Sequence, residues 1–166
     1  MQLHSVEAIV KALNEAQVQY LIVGGLAVNA HGYERLTRDV DLVIGLEPEN
    51  IIRGLQALQS IGYQMVIPVT PQQFADPATR EMWRREKNMI VLQFWSDRHG
   101  RTPVDVFVYE PFDFALEYGR ARREFITETA QATIVGYEAL LAMKQAAGRD
   151  RDLLDIQALR KLDPHR

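Results

Sequence analysis

The 166-residue chain contains no cysteine. That one absence excludes a disulfide framework, a thiolate zinc site and a cysteine nucleophile. No apolar run approaches the roughly 20 residues of a membrane span, so no membrane association is expected. The first residues, MQLHSVEAIVKAL, lack a basic region followed by an apolar block. No secretory signal is visible in them, and a cytoplasmic location is the default expectation. Positive charge is also not in excess: the net charge is -3 and the sequence pI about 5.8. Bulk electrostatics therefore do not announce a nucleic-acid binder. A helical DNA-binding module is discounted as well, because few basic residues line the C-terminal helical segments. Two familiar phosphate signatures are missing: no GK[ST] follows the glycine pair at Gly24-Gly25, and GxGxxG does not occur.

What is present is ordinary in bulk, with 47% hydrophobic and 25% charged residues, the composition of a globular protein. The length suits a single domain spanning residues 1–166. Leu3, Val6, Ile9, Val10 and Leu13 recur at helical spacing. Tyr20 to Val23 reads as a short buried strand. The chain then makes a diglycine turn and a brief helix over residues 26–30, ended by Gly32. Val40, Leu42 and Ile44 alternate with Asp39, Asp41 and Val43, which predicts a strand with one apolar face. A helix opens at Pro48 and closes at Gly62. Residues 63–66 predict a short strand. Pro68, Pro71 and Pro77 mark a loop, followed by a helix over residues 81–87. Residues 89–95 and 104–109 are strands, and residues 112–118 a helical turn. A small hairpin is expected over 125–126 and 133–135. Two helices follow over 138–147 and 151–162, the second with Leu153, Ile156 and Leu159 on its buried side. The sum is an α+β fold, a mixed sheet with helices before, between and after its strands.

The chemistry concentrates between Tyr20 and Ile44, YLIVGGLAVNAHGYERLTRDVDLVI. Strand side chains alternate, so Asp39 and Asp41 point to the same face. Two carboxylates so placed repel each other, and a divalent cation removes that cost. Oxygen ligands without cysteine or histidine favour Mg²⁺ or Mn²⁺. Asp105, in PVDVFVY, lies on a strand of the same acid-out pattern. If the two strands are neighbours, three carboxylates converge and suit two ions about 3.5–4 Å apart, as phosphoryl chemistry uses. Asp105 is then also placed to take the proton from an attacking hydroxyl. Gly24 and Gly25 end a strand where backbone N–H groups approach an anion with no Cβ in the way. On its own a diglycine serves any tight turn. Together these parts read as a device that presents a nucleoside triphosphate to metal ions.

At these residues the chain resembles the DNA polymerase beta-like nucleotidyltransferase superfamily. GGLAVNAHGYERLTRDVDLVI is most similar to the minimal nucleotidyltransferases related to the abortive-infection type IV toxins, in which a GG turn precedes an HGxxRxTxDxDL segment. The similarity extends to TPVDVFVY and to YEALLAMKQAAGRDRDLLDI. The resemblance implies the nucleotidyltransferase fold, two divalent metals, and transfer of NMP from an NTP to a hydroxyl with release of pyrophosphate. Gly24 and Gly25 match the triphosphate turn, Asp39 and Asp41 the metal pair, Asp105 the third carboxylate, and Lys144 a lysine of the C-terminal motif. Gly25 stands where the wider superfamily has serine, so a hydroxyl contact to phosphate gives way to backbone donors. The toxins carry a further C-terminal domain. Acceptor recognition is accordingly expected from this core or from a partner chain. The acceptor is open among RNA, protein and small molecule. The rival expectation is a non-catalytic member of the fold that binds a nucleotide or a partner protein, as in a toxin–antitoxin pair.

Several basic residues carry two readings. Lys144 is either a triphosphate contact or a solvent-facing lysine. Arg35 and Arg38 either reach phosphate or balance the aspartates beside them. Arg149, Asp150, Arg151, Asp152 and Asp155 read as a salt-bridge network, with Asp152 and Asp155 placed to clamp Arg149 or Lys144. His31 caps a helix C-terminus. The run Arg80, Arg84, Arg85 and Lys87 near Trp83 reads as a solvated helix face, with a nucleotide-binding rim as the alternative.

Overall fold

Two short strands, β1 (Tyr20–Val23) and β2 (Val40–Ile44), form the centre of a seven-stranded mixed sheet in a computed structural model that describes residues 1–162. The others are β3 (Gln64–Met65), β4 (Val91–Trp95), β5 (Val104–Phe107), β6 (Arg122–Thr127) and β7 (Ala130–Ile134), in the spatial order β3-β4-β5-β2-β1-β7-β6. β1 and β2 are antiparallel, β2 and β5 parallel, and β1 and β7 parallel. The late hairpin β6–β7 thus joins the main sheet. Eight helices occur among the described residues: α1 (Leu3–Glu15), α2 (Gly24–Ala30), α3 (Pro48–Ser60), α4 (Pro71–Ala75), α5 (Pro77–Lys87), α6 (Phe114–Arg120), α7 (Tyr137–Ala147) and α8 (Asp150–Leu162). The architecture is the α+β sheet flanked by helices that the alternating pattern predicts.

Burial changes across the sheet in a way that locates the site. All four side chains of β1 are buried, and in β2 only Asp41 is not fully so. Further out one face opens. Leu92, Phe94, Val104, Val106 and Val108 are buried, while Val91, Gln93, Trp95, Asp105, Phe107 and Tyr109 on the alternate positions are partly or fully exposed. With a period of two, those six residues share one face.

Three local expectations are corrected. The glycine pair is not a separate turn before a helix starting near residue 26, because α2 begins at Gly24 itself. Gly24 makes the change of direction with φ +62°. Pro71 and Pro77 open helices instead of marking loop. Thr70 and Gln73 form a reciprocal capping box, and the Asp76 carboxylate accepts from the Thr79 N–H. Proline suits the first helical position because its missing N–H would be unsatisfied there anyway. On α8, Leu153 is 42% exposed; Asp152 and Asp155 go inside with Ile156 and Leu159.

Candidate functional site

The pairing register brings the acids together. Asp41 and Asp105 are directly opposite each other on the parallel strands β2 and β5. Asp39 sits just before β2. One carboxylate oxygen from each of Asp39, Asp41 and Asp105 lies within 4.8 Å of the others. Across β1 the partner of Asp41 is Val23, the residue before Gly24. The three acids and the glycine pair therefore meet at one end of the central strands.

Gly24 is required there for two reasons. Its φ of +62° is a conformation that side-chain-bearing residues rarely adopt, and a Cβ would lie 1.9 Å from the Asp41 Oδ2. At Gly25 a Cβ would come within 2.4 Å of the Thr37 hydroxyl. The Gly25 N–H is directed at the Asp41 carboxyl and favours its charge. In this structure the anion that the glycine backbone meets is thus Asp41.

The electrostatics follow from the crowding. Burial, with Asp39 and Asp105 adding like charge, pushes the Asp41 carboxyl up to about 7, opposed by the Gly25 N–H and by Lys144. Asp105 is also raised, first by burial and then by Asp39, while a hydrogen bond from Gln93 opposes the rise. Gln93 lies directly across from Asp105 on β4, and its Nε2 donates to Asp105 Oδ1 at 3.2 Å. The Thr37 hydroxyl donates to Asp39 Oδ1 at 3.4 Å. Three carboxylate oxygens within 4.8 Å of one another, held at the expense of mutual repulsion, fit a hard divalent cation. Asp39, Asp41 and Asp105 are the residues that would hold it.

A second charged cluster backs the first. Lys144 is only 5% exposed; its Nζ donates to Asp152 Oδ1 at 3.0 Å and to Asp155 Oδ2 at 2.7 Å. Arg35 grips Asp155 with two parallel bonds, Nε to Oδ1 at 2.6 Å and Nη2 to Oδ2 at 2.8 Å. Arg149 donates from Nε to Asp152 Oδ2 at 2.7 Å. Burial works against charge on Asp152 and Asp155, yet these cations hold both carboxyls below the usual range. The Arg151 guanidinium also bonds the Leu36 carbonyl. α8 thereby fastens the loop that leads into Asp39.

Of the residues singled out in the sequence, Gly24, Gly25, Asp39, Asp41 and Asp105 come together. Lys144 is no solvent-facing lysine; it is buried in an ion-pair network close enough to favour charge on Asp41. Arg38 is exposed beside Asp39, with no carboxylate partner among the described residues. Arg35 is committed to Asp155 rather than to the aspartate pair. His31 sits at the C-cap of α2, and its Nε2 meets the Val135 carbonyl at 2.8 Å. Arg80 departs from the solvated-face reading, since it is buried and donates to the Phe74 carbonyl at 2.6 Å. Arg84 lies over the Tyr109 ring, 4.1 Å from its centroid. Gln93 went unmarked in the sequence, and Thr37 entered only as the threonine of the HGxxRxTxDxDL segment; the strand register and the loop path reveal what each touches.

No protein-family model matches the chain, and no curated protein sequence does. Solved structures do. Lincosamide antibiotic adenylyltransferase LnuA, bound to lincomycin, aligns over 95% of both chains with a TM-score of 0.62 and 14% identity. ANT(2'')-Ia in complex with adenylyl-2''-tobramycin aligns over 96% of this chain and 88% of its own, with a TM-score of 0.62 and 12% identity. A nucleotidyltransferase-like protein from Paracoccidioides brasiliensis aligns over 96% and 76%, with a TM-score of 0.55 and 21% identity. The chain has the nucleotidyltransferase fold. The likeness speaks to that fold at large and not to its toxin branch.

Proposed function

We propose that this protein is a metal-dependent nucleotidyltransferase that moves a nucleoside monophosphate from an NTP to a hydroxyl of an acceptor. The observation that carries the reading is the convergence of Asp39, Asp41 and Asp105 within 4.8 Å beside Gly24. Divalent cations, Mg²⁺ or Mn²⁺, would supply charge neutralisation for the triphosphate and the departing pyrophosphate. The chain's own residues do the rest. Asp39 and Asp41 present the metal-binding oxygens, and the missing Cβ of Gly24 leaves room for Asp41. Asp105, oriented by the Gln93 amide and raised in proton affinity by burial, accepts the acceptor hydroxyl's proton. The hydroxyl oxygen forms a bond to the α-phosphorus, the bond from that phosphorus to the bridging oxygen breaks, and pyrophosphate leaves with the electron pair. Arg38, exposed and next to Asp39 in the chain, is assigned to the triphosphate because a guanidinium suits phosphate. Lys144 acts from its ion-pair network by placing positive charge behind Asp41.

A small-molecule acceptor is supported by two of the fold neighbours, one solved with lincomycin and one with adenylyl-2''-tobramycin. The test is to incubate the protein with Mg²⁺, each α-labelled NTP, and candidate acceptors that include lincomycin, tobramycin and RNA with a free 3′ hydroxyl. Label transfer with pyrophosphate release is expected, and Asp39→Ala/Asp41→Ala should lower it about a thousandfold or more, the equivalent of several kcal/mol of lost charge stabilisation. Equal behaviour of wild type and double variant would sink the enzyme reading. Nucleotide binding without turnover would instead mark a non-catalytic member of the fold.

A further inference from the structure

The open sheet face beside the acids has a use that the triphosphate chemistry leaves unfilled. Asp105 is flanked on that face by Gln93, directly opposite it, and by Trp95, two residues further along the same strand. A diagonal neighbour on a sheet lies about 7–8 Å away, within reach of an aromatic side chain. Trp95 is 46% exposed, whereas the chain's other tryptophan, Trp83, is 4% exposed in the core. The Trp95 ring is not adrift, because Gly100 lies against it: a Cβ there would come within 3.4 Å of Cζ2. Gln64 on β3 pairs with Trp95 and is exposed on the same face. An exposed indole with a neighbouring segment against its edge is a surface on which a flat or ring-shaped molecule stacks, with its polar handle left for a hydrogen bond.

We propose that Gln93 and Trp95 form the acceptor platform of this enzyme, and that the acceptor is a small ring compound carrying several hydroxyls, stacked on Trp95 with one hydroxyl turned to Asp105. The proposal rests on the nucleotidyltransferase reading above and adds the acceptor to it. The side chain of Gln93 suits a hydroxyl, which both donates and accepts: one amide N–H is spent on Asp105, leaving Oε1 and a second N–H. The face also argues against a polynucleotide. Tracking a strand takes successive stacking rings along a positive groove. Here the other two rings on the face, Phe107 and Tyr109, are only partly exposed and meet each other edge-on, with Arg84 over Tyr109, so Trp95 is the one ring left well exposed, and its neighbours towards the site are a neutral amide and aspartates. Gln93 and Trp95 are positioning residues; the bonds made and broken are those of the transfer step already given.

The experiment measures transfer from Mg–NTP to a panel of ring polyols (methyl glycosides, free monosaccharides and tobramycin) and to an RNA oligonucleotide with a free 3′ hydroxyl. Wild type, Trp95→Ala, Trp95→Phe and Gln93→Ala are compared, with the Mg–NTP dissociation constant measured separately on each. Trp95→Ala should raise the acceptor KM about tenfold or more, in line with the loss of one stacking contact. The Mg–NTP constant should move little, and Trp95→Phe should recover most of the loss. Titrating a labelled ring acceptor should also change the tryptophan emission of wild type and not of Trp95→Phe. Equal KM values for wild type and Trp95→Ala, or a parallel loss of Mg–NTP affinity, would overturn the platform. Labelling of the oligonucleotide alone would overturn the acceptor class. Absence of Mg–NTP binding in wild type would overturn the underlying reading and the platform with it.

Discussion

Gly24 and Asp41 show how much one residue pair decides. The carboxylate occupies the space a side chain at position 24 would need, and the backbone there has φ +62°. Gly24→Ala must therefore both enter the left-handed region, at about 1–2 kcal/mol, and displace the Asp41 carboxylate. We expect the variant to lose some 2–3 kcal/mol of stability and most of its metal-dependent thermal shift. Scanning calorimetry with and without Mg²⁺ measures both. A variant that melts lower yet keeps the full metal response would mean that Asp41 is not displaced. Gly25 is constrained by a different neighbour, the Thr37 hydroxyl. The spacing of the two aspartates and the glycine pair were plain in the sequence because chemistry and local period coincide there. Gln93 was not, since a glutamine in a strand says nothing until the strand opposite it is known.

At the scale of elements, α8 is the instructive case. Its leucines suggested a buried stripe through Leu153, yet the helix turns Asp152 and Asp155 inward. Hydropathy fails here because the buried acids are satisfied by cations: Lys144 on the preceding helix, a clamp the sequence suggests, and Arg35, 120 residues before Asp155, which it does not. Removing one member of a buried ion pair strands the others and typically costs about 3–5 kcal/mol. Asp155→Ala should fall in that range, because Arg35 and Lys144 both lose a carboxylate. Lys144 keeps Asp152 in that variant, so the stranded cation is Arg35; adding Arg35→Met should restore part of the loss, which equilibrium denaturation of the single and double variants would show. No recovery would mean that the cost lies with Lys144 and not with Arg35. The same locality explains α4 and α5. Thr70-Pro71 and Asp76-Pro77 are each an N-cap followed by a proline at the first helical position, a start signal that reads as loop when proline alone is weighed.

For the whole molecule, the strand order was the part least visible in the sequence. The alternation that marks β2 and β5 predicts two acid-bearing strands, but not that they are neighbours in parallel register with Asp41 opposite Asp105. That register makes the site a charge problem for the entire fold. Asp41 titrates at about 7 in the folded protein against an ordinary 3.8. Below the ordinary value both folded and unfolded chains hold the proton and nothing is lost. As pH rises towards 7 the unfolded chain gives up its proton while the folded one retains it, so stability falls, by at most about 4 kcal/mol once both are ionised. A divalent cation reverses this, because it binds the ionised carboxylates of the folded state only and must displace the Asp41 proton to do so. The metal-free protein should therefore melt progressively lower as pH rises towards 7, and level off above. Mg²⁺ should raise the melting temperature more at pH 8 than at pH 6. In Asp41→Asn this part of the pH dependence should flatten. In Asp39→Asn/Asp41→Asn/Asp105→Asn the Mg²⁺ response should vanish at both pH values. A metal response of equal size at the two pH values, or one that survives in the triple variant, would place the cation somewhere other than on these three aspartates.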